Sequence, residues 1–155
     1  MTRLRLLAAA GGFALLPQAA GASTDWLALS DEEWRKRLSP EAYRVLREHG
    51  TEWAFSSPLD RERRPGRYDC AGCRLPLFSS KTKFDSGTGW PSFWKPLPDA
   101  VAQSAGGSPM WGTEVHCRRC AGHLGHVFDD GPQPTGLRYC INGVALIFVP
   151  DAPSP

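Results

Sequence analysis

The feature that most constrains this 155-residue chain is a pair of C-x-x-C motifs, Cys70-Ala71-Gly72-Cys73 and Cys117-Arg118-Arg119-Cys120. Each motif, on a tight turn, can aim two thiolates at one ion. Two such turns complete the tetrahedron of sulfurs that structural zinc prefers. Gly72 and Ala121-Gly122 suit the sharp turns that such knuckles need. The interval between the pairs is longer than in common zinc fingers, so the chain must close a substantial domain to bring them together. A four-sulfur site has no open coordination position, so a metal held there serves structure and not chemistry. Two other readings remain open from spacing alone. In an oxidising compartment the four could pair as disulfides. One C-x-x-C could be a redox motif, although neither lies in the βαβ context such motifs occupy.

The first 22 residues read as a secretory signal outside the fold. Arg3 and Arg5 precede the apolar run Leu6 to Leu16, and Ala20-Gly21-Ala22 offers a small-residue cleavage site. The run is well short of the ~20 residues that span a bilayer, so stable membrane insertion is not expected. The expected organisation is a signal at 1–22, a domain at 23–150 and a loose tail at 151–155, in a monomer exported to the periplasm or cell envelope. The arginine spacing does not match a twin-arginine signal, and no lipobox cysteine is present. Charge supports the same picture. The chain carries 18 Lys+Arg against 16 Asp+Glu, and loss of Arg3 and Arg5 would leave it neutral. A neutral domain has no general pull on nucleic acid or anionic lipid. The local cluster Arg61, Arg63, Arg64 and Arg67 flanks Pro65-Gly66 and reads as a solvated loop.

Two short helices are predicted at the start of the domain. Ser30 caps the first, with Glu33 closing a capping box. Ser39 caps the second, Pro40 takes its first position, and the helix runs to about His49 before Gly50 stops it. Its apolar face is Tyr43, Val45 and Leu46. From Thr51 onward, short apolar pieces alternate with Gly, Pro, Asp and Ser; 14 prolines and 16 glycines favour turns and short strands. Tyr68, Leu75–Phe78, Phe84, Trp90–Trp94, Val115, Val127–Phe128 and Ile141–Val149 are the candidate strands or core plugs. The reading is an irregular antiparallel β domain behind a helical entry.

The fifth cysteine is the candidate for chemistry. In Arg138-Tyr139-Cys140-Ile141-Asn142, strand alternation puts Arg138, Cys140 and Asn142 on one face. A cysteine between a permanent cation and an amide does not read as core filler. The cation favours thiolate and so lowers the thiol pKa. The apolar run Val144 to Val149 is expected to anchor this same strand. His123 and His126 would face opposite ways on a regular strand, but Gly125 between them suggests a bend that lets them converge. Beside Cys140, with an Asp to orient one ring, an acid/base role follows. Trp90, in Gly87-Thr88-Gly89-Trp90-Pro91-Ser92-Phe93, can form an open apolar wall for a small ligand.

Three stretches carry a resemblance that covers about Leu38 to Val149. They are Phe84-Asp85-Ser86-Gly87-Thr88-Gly89-Trp90-Pro91-Ser92-Phe93, then Cys117-x-x-Cys120-x-x-His123-Leu124-Gly125-His126-Val127-Phe128, then Gly131-Pro132-x-Pro134-Thr135-Gly136-x-Arg138-Tyr139-Cys140-Ile141-Asn142. Together they closely resemble the peptide-methionine (R)-S-oxide reductases, the B type of methionine sulfoxide reductase. The resemblance implies a mainly β fold of two small antiparallel sheets, tent-like, with short N-terminal helices and a structural zinc knuckle pair. It places the nucleophile on Cys140, the zinc ligands on Cys70, Cys73, Cys117 and Cys120, and further catalytic groups on His123, His126, Asp130, Arg138 and Asn142. Substrate-binding positions fall on Trp90 and Phe128. The implied reaction is attack of Cys140 on the sulfoxide sulfur, protonation of the departing oxygen by a histidine, and a sulfenic acid as product. Substrates would be oxidised proteins or free methionine sulfoxide.

One departure bears on turnover. Many relatives have a resolving cysteine where this chain has Thr88. With four cysteines committed to metal, an external thiol, such as a thioredoxin-like reductant, is expected to reduce the sulfenic acid directly. A lesser departure is Gly143-Val144, where relatives often have Ser-Ala. Two rival readings are a zinc-ribbon binding module for nucleic acid or protein, and an inactive relative. The first leaves Cys140 and the histidines idle and conflicts with neutral charge; the second conflicts with an intact Cys140.

Overall fold

The computed structural model describes residues 24–108 and 110–152. The signal expected at 1–22 and the end of the 151–155 tail lie outside these residues. Asp151 itself is tied back, its amide donating to the Pro65 carbonyl. Among the described residues no helix is long and apolar enough to cross a membrane.

Both entry helices form as their caps dictate. Helix α1 (Asp31–Arg37) starts at Ser30, whose hydroxyl accepts from the Glu33 amide while the Glu33 carboxylate takes the Ser30 amide. This reciprocal arrangement satisfies two otherwise orphaned donors. Helix α2 (Pro40–Glu48) is capped by Ser39 and buries Ala42, Tyr43, Val45 and Leu46. Its stop differs from expectation: His49, not Gly50, takes the left-handed conformation, with φ 55°. The reason is tertiary, since the His49 ring is drawn to Glu114, 65 residues away.

The remainder forms two antiparallel sheets. The smaller has strand order β2 (Pro76–Ser79), β1 (Gly66–Cys70), β9 (Leu146–Pro150). The larger has six strands: β3 (Lys83–Phe84), β4 (Ser92–Phe93), β8 (Arg138–Ile141), β7 (His123–Phe128), β6 (Thr113–Cys117) and β5 (Val101–Gln103). The sheets meet through aromatic rings. Phe93 of the larger sheet stacks on Phe78 at 4.4 Å and meets the edge of Tyr68 at 5.0 Å. Such pairs contribute roughly 0.5–1.5 kcal/mol beyond their area burial.

The expectation that Val144–Val149 anchors the strand of Cys140 is not met. A single turn of 3₁₀ helix at Gly143–Ala145 breaks the chain, and the apolar residues beyond it become β9, paired with β1 in the other sheet. The break is held by Glu52, whose carboxylate accepts from the Gly143 amide at 2.6 Å and the Val144 amide at 2.9 Å. Gly143 has its own packing reason, since a Cβ there would run into Ser57. What anchors β8 is its central position: Cys140 lies opposite Ser92 on one side and His126 on the other.

Candidate active site and metal centre

The two C-x-x-C turns are near copies of one another. In the first, the Arg74 amide donates to the Cys70 carbonyl and the Cys70 amide donates to the Leu75 carbonyl. In the second, Ala121 donates to Cys117 and Cys117 to Gly122 in the same pattern, at 2.9 Å each. The left-handed residue of each turn is the one after the second cysteine, Arg74 (φ 62°) and Ala121 (φ 55°). Glycines 72 and 122 therefore do not supply the turn; Gly122 instead makes room for Leu46 of α2. The four cysteines are buried, unbridged, and have all four sulfurs within 4.8 Å of one another. Cys70 and Cys120 are 3.7 Å apart, Cys73 and Cys117 3.5 Å. A tetrahedral ion with metal–sulfur bonds near 2.3 Å needs sulfurs about 3.8 Å apart. The set fits a four-thiolate ion and not a pair of disulfides, whose sulfurs bond at about 2.05 Å.

The second knuckle is also the turn between β6 and β7, so the four-cysteine cluster sets where His123 begins. Residue 125 must be glycine: a Cβ there would collide with the Cys140 carbonyl of β8. That close approach, and a register shift in the β6–β7 ladder, let His123 and His126 converge. Their rings meet edge to face at 5.4 Å. The two rings converge as expected, but through an irregularity of the β6–β7 ladder between Val115 and His116, while β7 runs unbroken through Gly125.

The two rings have different surroundings. His123 is 2% exposed, and its Nδ1 pairs with Glu114 Oε1 at 2.8 Å. The same carboxylate takes His49 Nδ1 and the Ser104 hydroxyl. Burial alone would raise the Glu114 pKa, but the bonds from His123, Ser104 and His49 outweigh it and hold the carboxyl at about 2. Burial lowers the pKa of His123 against the pull of Glu114, and lowers that of His126 likewise. His126, half-buried, faces the open side, directly across from Cys140. The carboxylate that orients a ring is therefore Glu114 and not Asp130. Asp130 instead grips Arg138 through two bonds of 2.8 Å, and the Arg138 guanidinium lies 4.3 Å above the Phe128 ring.

Cys140 opens into a cavity of about 320 Å³. Trp90, His126, Phe128 and Asn142 line it with Thr51, Gly125 and the exposed pair Met110 and Trp111. Arg138, Asp130 and His123 flank this cavity rather than line it. Thr88 Oγ1 lies 3.9 Å from Cys140 Sγ, at the end of a hydroxyl chain through Ser86 to Ser92. The thiol pKa is raised, not lowered as the sequence suggested. Burial is the largest influence; the Thr88 hydroxyl and then the Arg138 charge pull the other way without prevailing. Arg138 has the expected sign but is engaged by Asp130.

Glu52 organises the far wall and was invisible in the sequence. Its carbonyl accepts from Trp90 Nε1 at 3.2 Å, and its amide donates to Asn142 Oδ1 at 2.9 Å. Asn142 also donates to the Leu124 carbonyl. Both ends of that amide are engaged, so Asn142 is a fixed wall. Gly89, with φ +89°, lets the Trp90 turn approach Phe55, whose amide donates to the Gly89 carbonyl.

Fold and site together define a β-sheet thiol protein, with one partly buried thiol standing apart from four sulfurs clustered closely enough to hold a metal. The SelR domain family model matches residues 38–150, and the chain belongs to that family of peptide methionine sulfoxide reductases, which are oxidoreductases. It is 54% identical over 121 residues to the peptide methionine sulfoxide reductase MsrB of Leptospira interrogans, covering 77% of this chain and 92% of the relative. Over 123 residues it is 54% identical to the MsrB of Agrobacterium fabrum, covering 78% and 91%. The chloroplastic B1 reductase of Arabidopsis thaliana is 50% identical over 124 residues, covering 79% of this chain and 61% of its own.

Proposed function

We propose that this protein reduces methionine-R-sulfoxide to methionine with Cys140 as nucleophile. The observation that carries the reading is the placement of Cys140 Sγ in a cavity walled by Trp90 and Phe128, with His126 directly across the strand pair. The substrate methyl sits against Trp90, whose ring is pinned by Glu52. Sulfur of Cys140 bonds to the sulfoxide sulfur, and the sulfur–oxygen bond breaks as the oxygen passes to Cys140. The new sulfur–sulfur bond breaks with it, its electron pair returning to the substrate, which leaves methionine and a sulfenic acid on Cys140. The thiol proton ends on that oxygen, relayed by His126, which faces the cavity where His123 does not. A sulfoxide oxygen leaves poorly unless protonated, and general acid help of this kind is worth about 10²–10⁴ in rate. His123, locked to Glu114, backs His126 and keeps its ring in place.

Two external thiols then convert the sulfenic acid to thiol and water, becoming a disulfide themselves. A thioredoxin-like protein is the partner of that chemistry. The four-cysteine cluster holds zinc: Cys70, Cys73, Cys117 and Cys120 offer only sulfur and leave no open position, so the ion supplies no chemistry beyond fixing the two turns. The leader-like first 22 residues support export, with repair of envelope proteins as the task.

The test is turnover of resolved R and S sulfoxides with a dithiol reductant. Wild type consumes the R epimer alone. Cys140→Ser loses the activity by a factor on the order of 10³ or more, the scale of removing a nucleophile. Turnover of S alone, or full activity without the thiol, ends this reading.

A further inference from the structure

The sequence contains two methionines, Met1 and Met110. Met110 is 76% exposed, and yet its side chain lines the cavity that holds Cys140. It sits on the turn joining β5 to β6. That turn is closed at its base by paired backbone bonds between Ser108 and Gly112, and the Trp111 amide donates to the Ser108 hydroxyl. Gly106 and Gly112, both at positive φ, flank it. An exposed thioether is a preferred target of peroxides, and its sulfoxide is polar where the thioether was apolar. The one internal methionine is thus placed where oxidants reach it and where its own oxide would alter the rim of the pocket.

We infer that Met110 is an intramolecular substrate: once a peroxide has oxidised it, its R sulfoxide turns inward and Cys140 of the same chain reduces it. This rests on the function proposed above. The balance is that of the main reaction. Peroxide supplies one oxygen to the Met110 sulfur; Cys140 takes that oxygen as sulfenic acid, regenerating the thioether; two external thiols remove it as water. Tethering within one chain sets an effective concentration in the mM range for short flexible links. That far exceeds the concentration of a second enzyme molecule in dilute solution.

The experiment oxidises the full-length protein with hydrogen peroxide, removes the oxidant, adds dithiothreitol and follows the Met110 peptide by mass spectrometry. Peroxide yields both epimers and a B-type reductase acts on one, so about half of the added oxygen is expected to disappear in wild type. Cys140→Ser is expected to keep all of it. The rate constant in wild type is expected to stay the same across a hundredfold dilution. A rate that rises in proportion to protein concentration would overturn the inference in favour of repair by another copy. Persistence of the full oxygen would also overturn it, provided the same sample reduces an R-sulfoxide peptide. If it reduces neither, the proposed function falls with it.

Discussion

The molecule holds cysteine in two environments that differ in everything but the side chain. At one end, four sulfurs lie within 4.8 Å of each other, buried, on two turns of matching hydrogen-bond pattern. On the middle of β8, Cys140 is partly exposed and meets a threonine hydroxyl instead of another sulfur. The first environment crowds sulfur against sulfur; the second leaves one thiol open to a cavity. The two are linked through the β6–β7 hairpin, because the turn that carries Cys117 and Cys120 leads directly into His123. The lesson is that sulfur count does not distribute roles here. Crowding does: a sulfur with three sulfur neighbours is placed to be a ligand, and one with none is free to react.

The sharpest way to break the contrast is to damage the metal end. Cys117→Ser removes one of four sulfurs, and a four-thiolate zinc site is worth about 10–16 kcal/mol in small peptides, comparable with a whole domain's stability of about 5–15 kcal/mol. The variant should fail to fold cooperatively, and a strong chelator should lower the wild-type Tm by tens of degrees. Cys140→Ser should leave that Tm within a few degrees, since a serine replaces a half-buried thiol (typical surface substitutions stay within about 0.5 kcal/mol). Circular dichroism melts with metal analysis decide it; a chelator-insensitive Tm would dissolve the distinction.

A second test introduces a sulfur neighbour where Cys140 has none. Thr88 Oγ1 is 3.9 Å from Cys140 Sγ, so Thr88→Cys should convert the sulfenic acid into an intramolecular disulfide after one turnover without reductant. Wild type should instead retain a sulfenic acid that a dimedone-type label captures. A disulfide involving Cys140 in the wild type would show that the two sulfur populations communicate.

The smallest effect concerns the carboxylate that joins the two ends. Glu114 has a folded-state pKa of about 2 against an ordinary 4.5. A depressed carboxyl contributes stability that is present above 4.5 and lost as pH falls toward 2. Burial also lowers the His123 pKa, so protonating that ring as pH falls costs stability in the same direction. Glu114→Gln should flatten the loss of stability between pH 4.5 and 2. At neutral pH it should cost about 1–3 kcal/mol, the scale of a charge-assisted hydrogen bond. Urea unfolding across that pH range measures both. An unchanged acid limb would mean that Glu114 does not bind His123 in solution.

Much of the architecture was legible because it obeys local rules. The capping box at Ser30, the proline start at Pro40 and the knuckle spacing each act over a few residues. They survive in the fold as the sequence implied. Cys140, Trp90, His126, Phe128 and Asn142 were likewise recognisable, and the fold brings them to one cavity. Other assignments failed where packing and burial decided. Asp130 is near the histidines in sequence but turns to Arg138, and the thiol of Cys140 is pushed up by burial that the Arg138 charge does not overcome.

The sequence by itself determined which sulfurs are paired on turns, which is left over, where the helices begin, and which family the chain resembles. Tertiary structure alone decided that Glu52 pins both Trp90 and the break before β9, across intervals of 38 and 91 residues. It decided equally that Glu114 joins His49 to His123 and that Met110 stands at the mouth of the cavity. The physical reason is range. Caps, turns and strand alternation act through covalent neighbours, so the residue order encodes them. A buried hydrogen bond between distant segments depends on register and desolvation, which exist only once the sheets have closed.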